Sequence, residues 1–434
     1  MFDALINAVR APDIRRRILF VLGALVVFRF MAHIPIPGVN QDALQNVLQG
    51  NDFLQLLNLF SGGGLSNFSL VALGVNPYIN ASIIMQLMTG VVPRLQALSR
   101  EGEYGRTKIN QYTRYLSVPM ALIQAYGYLA LLSSRDLAGG SAPVIANFDL
   151  FSLLTITQIV TLTAGTVFTM WLGELITERG IGNGISFLIF AGIVSRVPVG
   201  IEAFFASPDF ILGAVFVIFA IFAVAAVVFM QEGQRRIPIQ YASRVRGRRM
   251  YQGGSTFLPL RVNQAGVIPI IFAVSILLFP VQLATYFSQS NVQIVKDVSN
   301  AIINLLGNHG WLYAVFYFLL TVGFTYFYTA FTFKPDETAD QLRKNGGFIP
   351  GIRPGGPTRD YLARVVVRIS LAGALFLGTI AVLPTVIANL ASGSVLAGLG
   401  LGGTALLIVV SVVVETMKQL EAQLMMRNYE GFIR

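Results

Sequence analysis

Apolar stretches of about 20 residues, the length an α-helix needs to cross the hydrocarbon core of a bilayer, recur ten times along this chain. They lie near 18–34, 76–92, 115–134, 151–174, 184–198, 210–230, 264–287, 311–332, 365–388 and 403–424. Inside lipid the backbone must satisfy its own hydrogen bonds, so segments of this kind predict helices. The expected fold is therefore an all-α polytopic membrane protein with ten transmembrane helices. Two stretches, those starting at Asn76 and Gly184, are short for a full crossing.

The 434 residues are 54% hydrophobic and only 12% charged, about half the charged share of a soluble domain. Charge must then collect in the connections, and it does so on one side. With the N-terminus in the cytoplasm, that side receives Arg15, Arg16 and Arg17, then Arg94, Arg100, Arg106, Lys108 and Arg114, then Arg179. It also takes the basic runs in 231–263 and 333–364, and finally Lys418, Arg427 and Arg434. The other side keeps Arg135, Arg196 and Lys296. Such a bias sets orientation by the positive-inside rule, with both termini cytoplasmic, and it also accounts for the net charge of +10. No cleavable signal peptide is expected, because the polar start and the first apolar stretch lead into a Pro-rich loop with no small-residue cleavage site.

The chain has no cysteine, which excludes disulfides and thiolate metal sites. Two histidines, His33 and His309, at the edges of the apolar stretches or between them, leave little material for a metal or redox enzyme. No GxxxxGK[ST] loop, HExxH, GxSxG or pair of intramembrane aspartates occurs. Candidate ionisable residues within the spans are poor: Arg29, Glu174, Arg368 and Glu415, most of them near a span end where snorkelling suffices. The midplane is aliphatic. A small-solute pathway needs fixed polar partners there, whereas a ring of Ile and Val closes by excluding water and yields to a bulky guest.

Divided at the external loop 199–209, read as a hinge, the spans form an N-terminal half (1–198) and a C-terminal half (210–434) of five each. An odd number per half makes the halves antiparallel through the bilayer, the arrangement of an inverted repeat. Gly74-Val75-Asn76-Pro77-Tyr78-Ile79-Asn80-Ala81 opens span two, and Gly266-Val267-Ile268-Pro269-Ile270-Ile271-Phe272-Ala273 opens span seven. Gly, Val, Pro, Ile and Ala coincide in register at the same place in each half; G-V-x-P is cheap in membrane helices, and the matching position argues for a repeat. The segment 35–75 carries Pro35, Pro37, a polar run from Gln41 to Asp52, and Ser61-Gly62-Gly63-Gly64 between two apolar pieces too short to span. Residues alone leave two forms open, a re-entrant half-helix buried in protein or a long external loop.

The connections 231–263 and 333–364 are basic and rich in Pro and Gly, with Arg246-Gly247-Arg248-Arg249 in the first and Phe348-Ile349-Pro350-Gly351-Ile352-Arg353-Pro354-Gly355 in the second. The positive-inside rule explains the charge but not the length; stiff projections that dock a large or anionic partner explain both.

Several of these stretches together resemble the SecY family, the central subunits of the bacterial Sec protein-translocation channel. They are Phe30 to Gly38, Leu59-Phe60-Ser61-Gly62-Gly63, Leu73 to Ile79, Gln111-Tyr112-Thr113-Arg114, Ile176 to Gly184, Ala265 to Pro269, Phe348 to Gly355 and Gly402-Gly403-Thr404. The likeness runs in order from first span to last. It implies an hourglass of ten helices that passes unfolded secretory polypeptides and releases membrane helices sideways into the bacterial cytoplasmic membrane, without catalysis and without a cofactor. By motif, it implies a pore ring of Val75, Ile79, Ile185, Ile189, Ile271 and Ile408. It implies a plug at about 57–70 that includes Leu59, Phe60, Ser61, Gly62, Gly63, Gly64 and Leu65; Val75 and the three glycines suggest a looser seal, or a more mobile plug, than is usual in the family.

A lateral gate is implied between spans two and three on one side and seven and eight on the other, with Asn80, Ser82, Gln86, Phe272 and Ser275. The implied docking residues are Arg248, Arg249 and Arg353, meeting the motor ATPase SecA and the ribosome, the latter through RNA phosphates. Further implied partners are the small subunits SecE and SecG, signal sequences and nascent chains, and membrane lipids. Two other classes compete. A secondary transporter would draw on the repeat and the short spans, and an intramembrane enzyme lacks a nucleophile–base pair.

Overall fold

The computed structural model describes residues 11–49, 54, 58, 61–133, 144–145, 148–149, 151–195, 197–198, 210–241, 244–246, 249–251, 254–266, 268–288, 292–307, 311–390 and 403–431. A helix covers each of the ten apolar stretches. In the first half these are α1 (Pro12–Met31), α3 (Asn76–Val91), α5 (Glu103–Leu132), α6 (Leu153–Arg179) and α7 (Gly184–Val194). In the second they are α8 (Phe210–Glu232), α9 (Ile268–Phe287), α11 (Trp311–Thr332), α13 (Gly356–Leu390) and α14 (Gly403–Gly431). Shorter helices are α2 (Gln41–Gln49), α4 (Pro93–Arg100), α10 (Gln293–Ile302) and α12 (Pro335–Lys344). Among the described residues, Glu103–Leu132, Leu153–Arg179, Trp311–Lys344 and Gly356–Leu383 are long and apolar enough to cross a membrane.

Local chemistry fixes many of the helix starts. Proline occupies the first turn of α1, α3, α4 and α12, where its missing N–H costs nothing and its φ is preset. α7 is capped by Asn183, whose Oδ1 accepts from the Ile185 and Ser186 amides at 3.1 and 3.2 Å. Several helices overrun their apolar stretches. α5 starts at Glu103, and α13 is 35 residues long. Apolarity marks where lipid would lie, while helix continues through residues such as the Lys, Gln and Arg of 106–114 that favour it in water too.

The halves meet along two seams. On one, α9 packs against α3 and α5; on the other, α14 packs against α7. Inside each half the neighbours are α5 with α3 and α6, and α11 with α9 and α13. A single apolar core runs through both halves, drawing on α1, α3, α5, α6, α7, α9, α11, α13 and α14.

The expectation of an all-α chain needs correction. The basic connections fold into strands β1 (Gln234–Tyr241), β2 (Arg244–Arg246), β3 (Arg249–Tyr251), β4 (Ser255–Arg261) and β5 (Gly347–Phe348). β1 is the centre of an antiparallel sheet ordered β4-β1-β5, with Ile237 opposite Leu258 and Gln240 opposite Phe348. Strand β1 alternates, burying Ile237 and Ile239 and exposing Arg236 and Pro238. The buried side chains join Leu260, Leu342, Ile349, Leu362, Val365 and Val366 in a separate small core. The two connections are thus one folded unit at the feet of α8 and α13, held by burial and a β ladder. The hinge loop 199–209 lies outside the described residues.

Candidate functional site

Val75, Ile79, Ile189, Ile271 and Ile408 are buried in the one core that spans both halves, and Ile185 packs half-buried against it. They come from α3 and the turn before it, α7, α9 and α14, so both seams contribute. The same core takes in Leu65, Phe68, Val71, Ala72 and Leu73 from the segment between α1 and α3. Among the described residues no Asp, Glu, Lys or Arg is buried.

The two sequence-related openings also match in backbone. Gly74 (φ 57°) and Gly266 (φ 66°) both adopt the left-handed conformation that glycine tolerates best. In each case a helix starts two residues later, at Asn76 and Ile268, with proline second. α9 therefore starts later than the stretch 264–287 implied, because the positive-φ turn precedes it.

The segment 61–75 is a chain of turns, so this part of the re-entrant stretch is not the half-helix that was one of its two expected forms, although Leu54 and Asn58 before it are helical. Positive φ at Gly62, Gly63, Phe68 and Gly74 forbids a continuous helix. The turns are tied internally and to α1. Asn58 accepts from the Ser61 hydroxyl (3.0 Å) and Gly63 amide (2.9 Å) through its carbonyl, and from the Ser66 amide (3.0 Å) through Oδ1. The Ser61 hydroxyl oxygen accepts from the Leu65 amide at 3.1 Å, and the Ser66 hydroxyl donates to the Gly63 carbonyl at 2.6 Å. Farther along, the Ile36 amide donates to the Phe68 carbonyl and the Leu70 amide to the Ile34 carbonyl. Leu59 and Phe60 fall outside the described residues.

Two contacts on this segment were not legible in the sequence. The guanidinium of Arg29, near the end of α1, donates to the Gly62 carbonyl at 3.1 Å, so this arginine does more than snorkel. Gly62 also lies backbone-to-backbone on Gly192 of α7: a Cβ on Gly192 would collide with the Gly62 Cα. Glycine at 192 permits that approach, while a Cβ at Gly62 would press on the Phe28 ring at 2.9 Å.

At the first seam, Asn80, Ser82 and Gln86 are half-buried on α3, and Phe272 and Ser275 are buried on α9. Gln86 Nε2 reaches Ser82 Oγ at 3.5 Å, while Gln86 Oε1 is buried with no hydrogen-bond partner among the described residues. The same holds for Gln124 Nε2 on α5 and Tyr317 Oη on α11. Each buried unmet group costs about 1–3 kcal/mol, and these three lie one each on α3, α5 and α11. Phe272 meets Phe324 of α11 edge-on, with centroids 6.1 Å apart.

Several charged groups are paired. Arg114 and Glu174 form an ion pair between α5 and α6 at 2.7 Å. Lys418 on α14 bonds Glu232 (2.9 Å) and the Gln231 carbonyl (3.1 Å) of α8, and Gln231 donates to Ser411. Among the described residues no three His, Cys, Asp or Glu side chains group as metal ligands. On the folded cytoplasmic unit, Arg353 is exposed on the tip between β5 and α13. Positive φ at Gly351 and Gly355 shapes that tip, and the buried Thr358 hydroxyl donates to the Arg353 carbonyl at 2.8 Å. Arg249 lies on β3, its side chain outside the described residues, as is all of Arg248.

Comparison with known proteins places this arrangement. A model of the SecY family matches residues 69–417. The protein translocase subunit SecY of Mycobacterium tuberculosis is 45% identical, with 100% of both chains covered. Those of Corynebacterium glutamicum (44%) and Streptomyces galbus (46%) match over the same full extents, 100% of each chain. A solved protein-conducting channel shares the fold at a TM-score of 0.64 and 18% identity, covering 93% of this chain and 91% of that one. Sec61 from the canine ribosome–channel complex of the endoplasmic reticulum does so at 0.61 and 18%, with the same coverage.

Proposed function

This chain belongs to the SecY family of protein translocase subunits, and we propose that it forms a passive pore through the bacterial cytoplasmic membrane, closed at rest by its own aliphatic core. The ten helices cross the bilayer in two inverted halves, with both termini in the cytoplasm. Val75, Ile79, Ile185, Ile189, Ile271 and Ile408 form the constriction, and the turns at 61–70 fill it from outside as a plug. The observation that carries this reading is the single uncharged core shared by both halves, with Leu65 and Phe68 wedged into it. Such a core offers a solute no fixed partner, yet it parts along seams when a bulkier chain enters.

The seam of α9 against α3 and α5 serves as the lateral gate. The unpaired Gln86 oxygen on α3 lowers the cost of parting, because opening lets it find a partner. Signal sequences and membrane helices would leave there for lipid. The chain performs no catalysis; the work comes from SecA or from the translating ribosome, which engage the β-sheet unit, and SecE and SecG complete the assembly. Reconstitution with SecE, SecG, SecA and ATP tests this. An unfolded secretory precursor should become protease-protected inside vesicles only with ATP; uptake of a small solute driven by an ion gradient, with no precursor protected, would instead select the transporter reading.

Two substitutions probe parts of this mechanism. Arg353→Glu should cut motor-driven export roughly tenfold or more, with folding intact, since the Thr358 bond uses only the backbone of residue 353. Export at the parental rate would remove the docking role. Arg29→Leu leaves the Gly62 carbonyl without a donor whose hydrogen bond is worth about 1.5–3 kcal/mol. It should let a thiol probe reach a cysteine placed at Ser66 several times faster, and an unchanged labelling rate would show that the arginine does not hold the plug.

A further inference from the structure

The connection between α9 and α11 contains an amphipathic element that the channel mechanism leaves idle. α10 (Gln293–Ile302) runs on into one π-helical turn, Ile303–Gly307, and both pack on α9, the turn also on α11. A helix lying on protein in water needs two faces, one apolar and one polar. This one has three. Val295, Ser299, Ile302 and Leu306 face inward, Ser299 buried and the others half-buried. Gln293, Asp297, Asn300 and Asn304 make an exposed polar face, along which Gln293 donates to Asp297 at 3.0 Å.

The third face is apolar and bare. Ile294, Val298, Ala301 and Leu305 recur at helical spacing, with Ile294 75%, Val298 54% and Leu305 47% exposed. Water is a poor neighbour for such a stripe, whose exposure is unfavourable in proportion to its area. It is continuous along the chain with other exposed apolar side chains at the adjoining helix ends: Phe287 closing α9, Val292, and Trp311 and Leu312 opening α11. Tryptophan prefers the boundary between lipid and water. A polar stripe and an apolar stripe side by side on a helix parallel to that boundary are what lipid on one side and water on the other require.

We propose that α10 lies in the interfacial layer of the outer leaflet, its Ile294–Val298–Leu305 stripe against lipid acyl chains and its Asn and Asp face in water. This rests on reading α9 and α11 as bilayer spans, and the test separates the two claims. The natural sequence contains no cysteine, so single cysteines labelled with an environment-sensitive NBD dye report cleanly. The assembled complex in phosphatidylcholine vesicles would carry Ile294→Cys, Val298→Cys, Leu305→Cys, Asp297→Cys or Asn300→Cys, with Leu319→Cys of α11 as a span control. Lipids bearing a shallow nitroxide should quench positions 294, 298 and 305 roughly threefold or more over 297 and 300.

Equal, weak quenching on both faces while a deep nitroxide still quenches 319 overturns the proposal and spares the spans. Failure to quench 319 removes the span reading and this placement with it. Quenching at 294 and 298 that appears in the isolated chain and disappears on addition of the small membrane subunits assigns the stripe to a protein partner and refutes a lipid contact.

Discussion

Replacing Ile271 by asparagine is expected to make the resting channel leak small ions, raising the conductance of planar bilayers roughly tenfold or more. Ile271 is buried at the start of α9, in the core shared with Val75, Ile79, Ile189 and Ile408. A closed hydrophobic constriction blocks ions because water is not stable inside it, and no bond has to be broken to wet it. One amide gives water two donors and an acceptor to hold, and the barrier falls. The same change removes packing at a cost of about 2–5 kcal/mol, so folding must be monitored separately. Asparagine at Ile79 should act alike, and the pair together should leak more than either alone. Conductance indistinguishable from the parent in a folded double variant would remove these two residues from the seal.

Gly192→Val should release the plug without touching the ring. The added Cβ would land on the Gly62 backbone, with the Gly62 nitrogen 3.1 Å away, and backbone cannot turn aside as a flexible side chain would. The segment must therefore leave its seat on α7, straining the Arg29 bond to the Gly62 carbonyl. The expected outcome is ion leakage together with fast thiol labelling of a cysteine at Ser66, both visible without a motor or substrate. Gly23→Val is the control, since nothing lies within 4 Å of where its Cβ would sit. Slow labelling and a tight membrane in a folded Gly192→Val chain would mean that this contact does not seat the plug.

Much of this molecule is written in its apolar spacing. Every long apolar run carries a helix, and proline at Pro12, Pro77, Pro93 and Pro335 marks a helix start. Helix ends were hidden, because hydropathy reports the lipid boundary and the backbone ignores it, as α5 and α13 show. The sheet was hidden by charge. Gln234 to Tyr241 does alternate, burying Ile237 and Ile239, but Arg235 and Arg236 in a basic connection pointed to solvent first. The related openings at Gly74 and Gly266 were legible because a positive φ leaves a glycine behind. The proposed constriction could be named only through resemblance, since Ile271 and any other buried isoleucine of the bundle look alike in sequence. Arg29 could not be read at all: its acceptor is a main-chain carbonyl 33 residues away, which no side-chain pattern encodes.

The β-sheet unit belongs to one half alone. β1 follows directly on α8, β5 hydrogen-bonds to it, and α12 and α13 close the small core beneath, so the Arg353 tip is braced on elements of the second half. Under the proposed reading, a motor bearing down on that tip would load the second half first. Thrust on one jaw of a vise, with the other left free, would become torque about their common edge and part the jaw faces where α9 abuts α3.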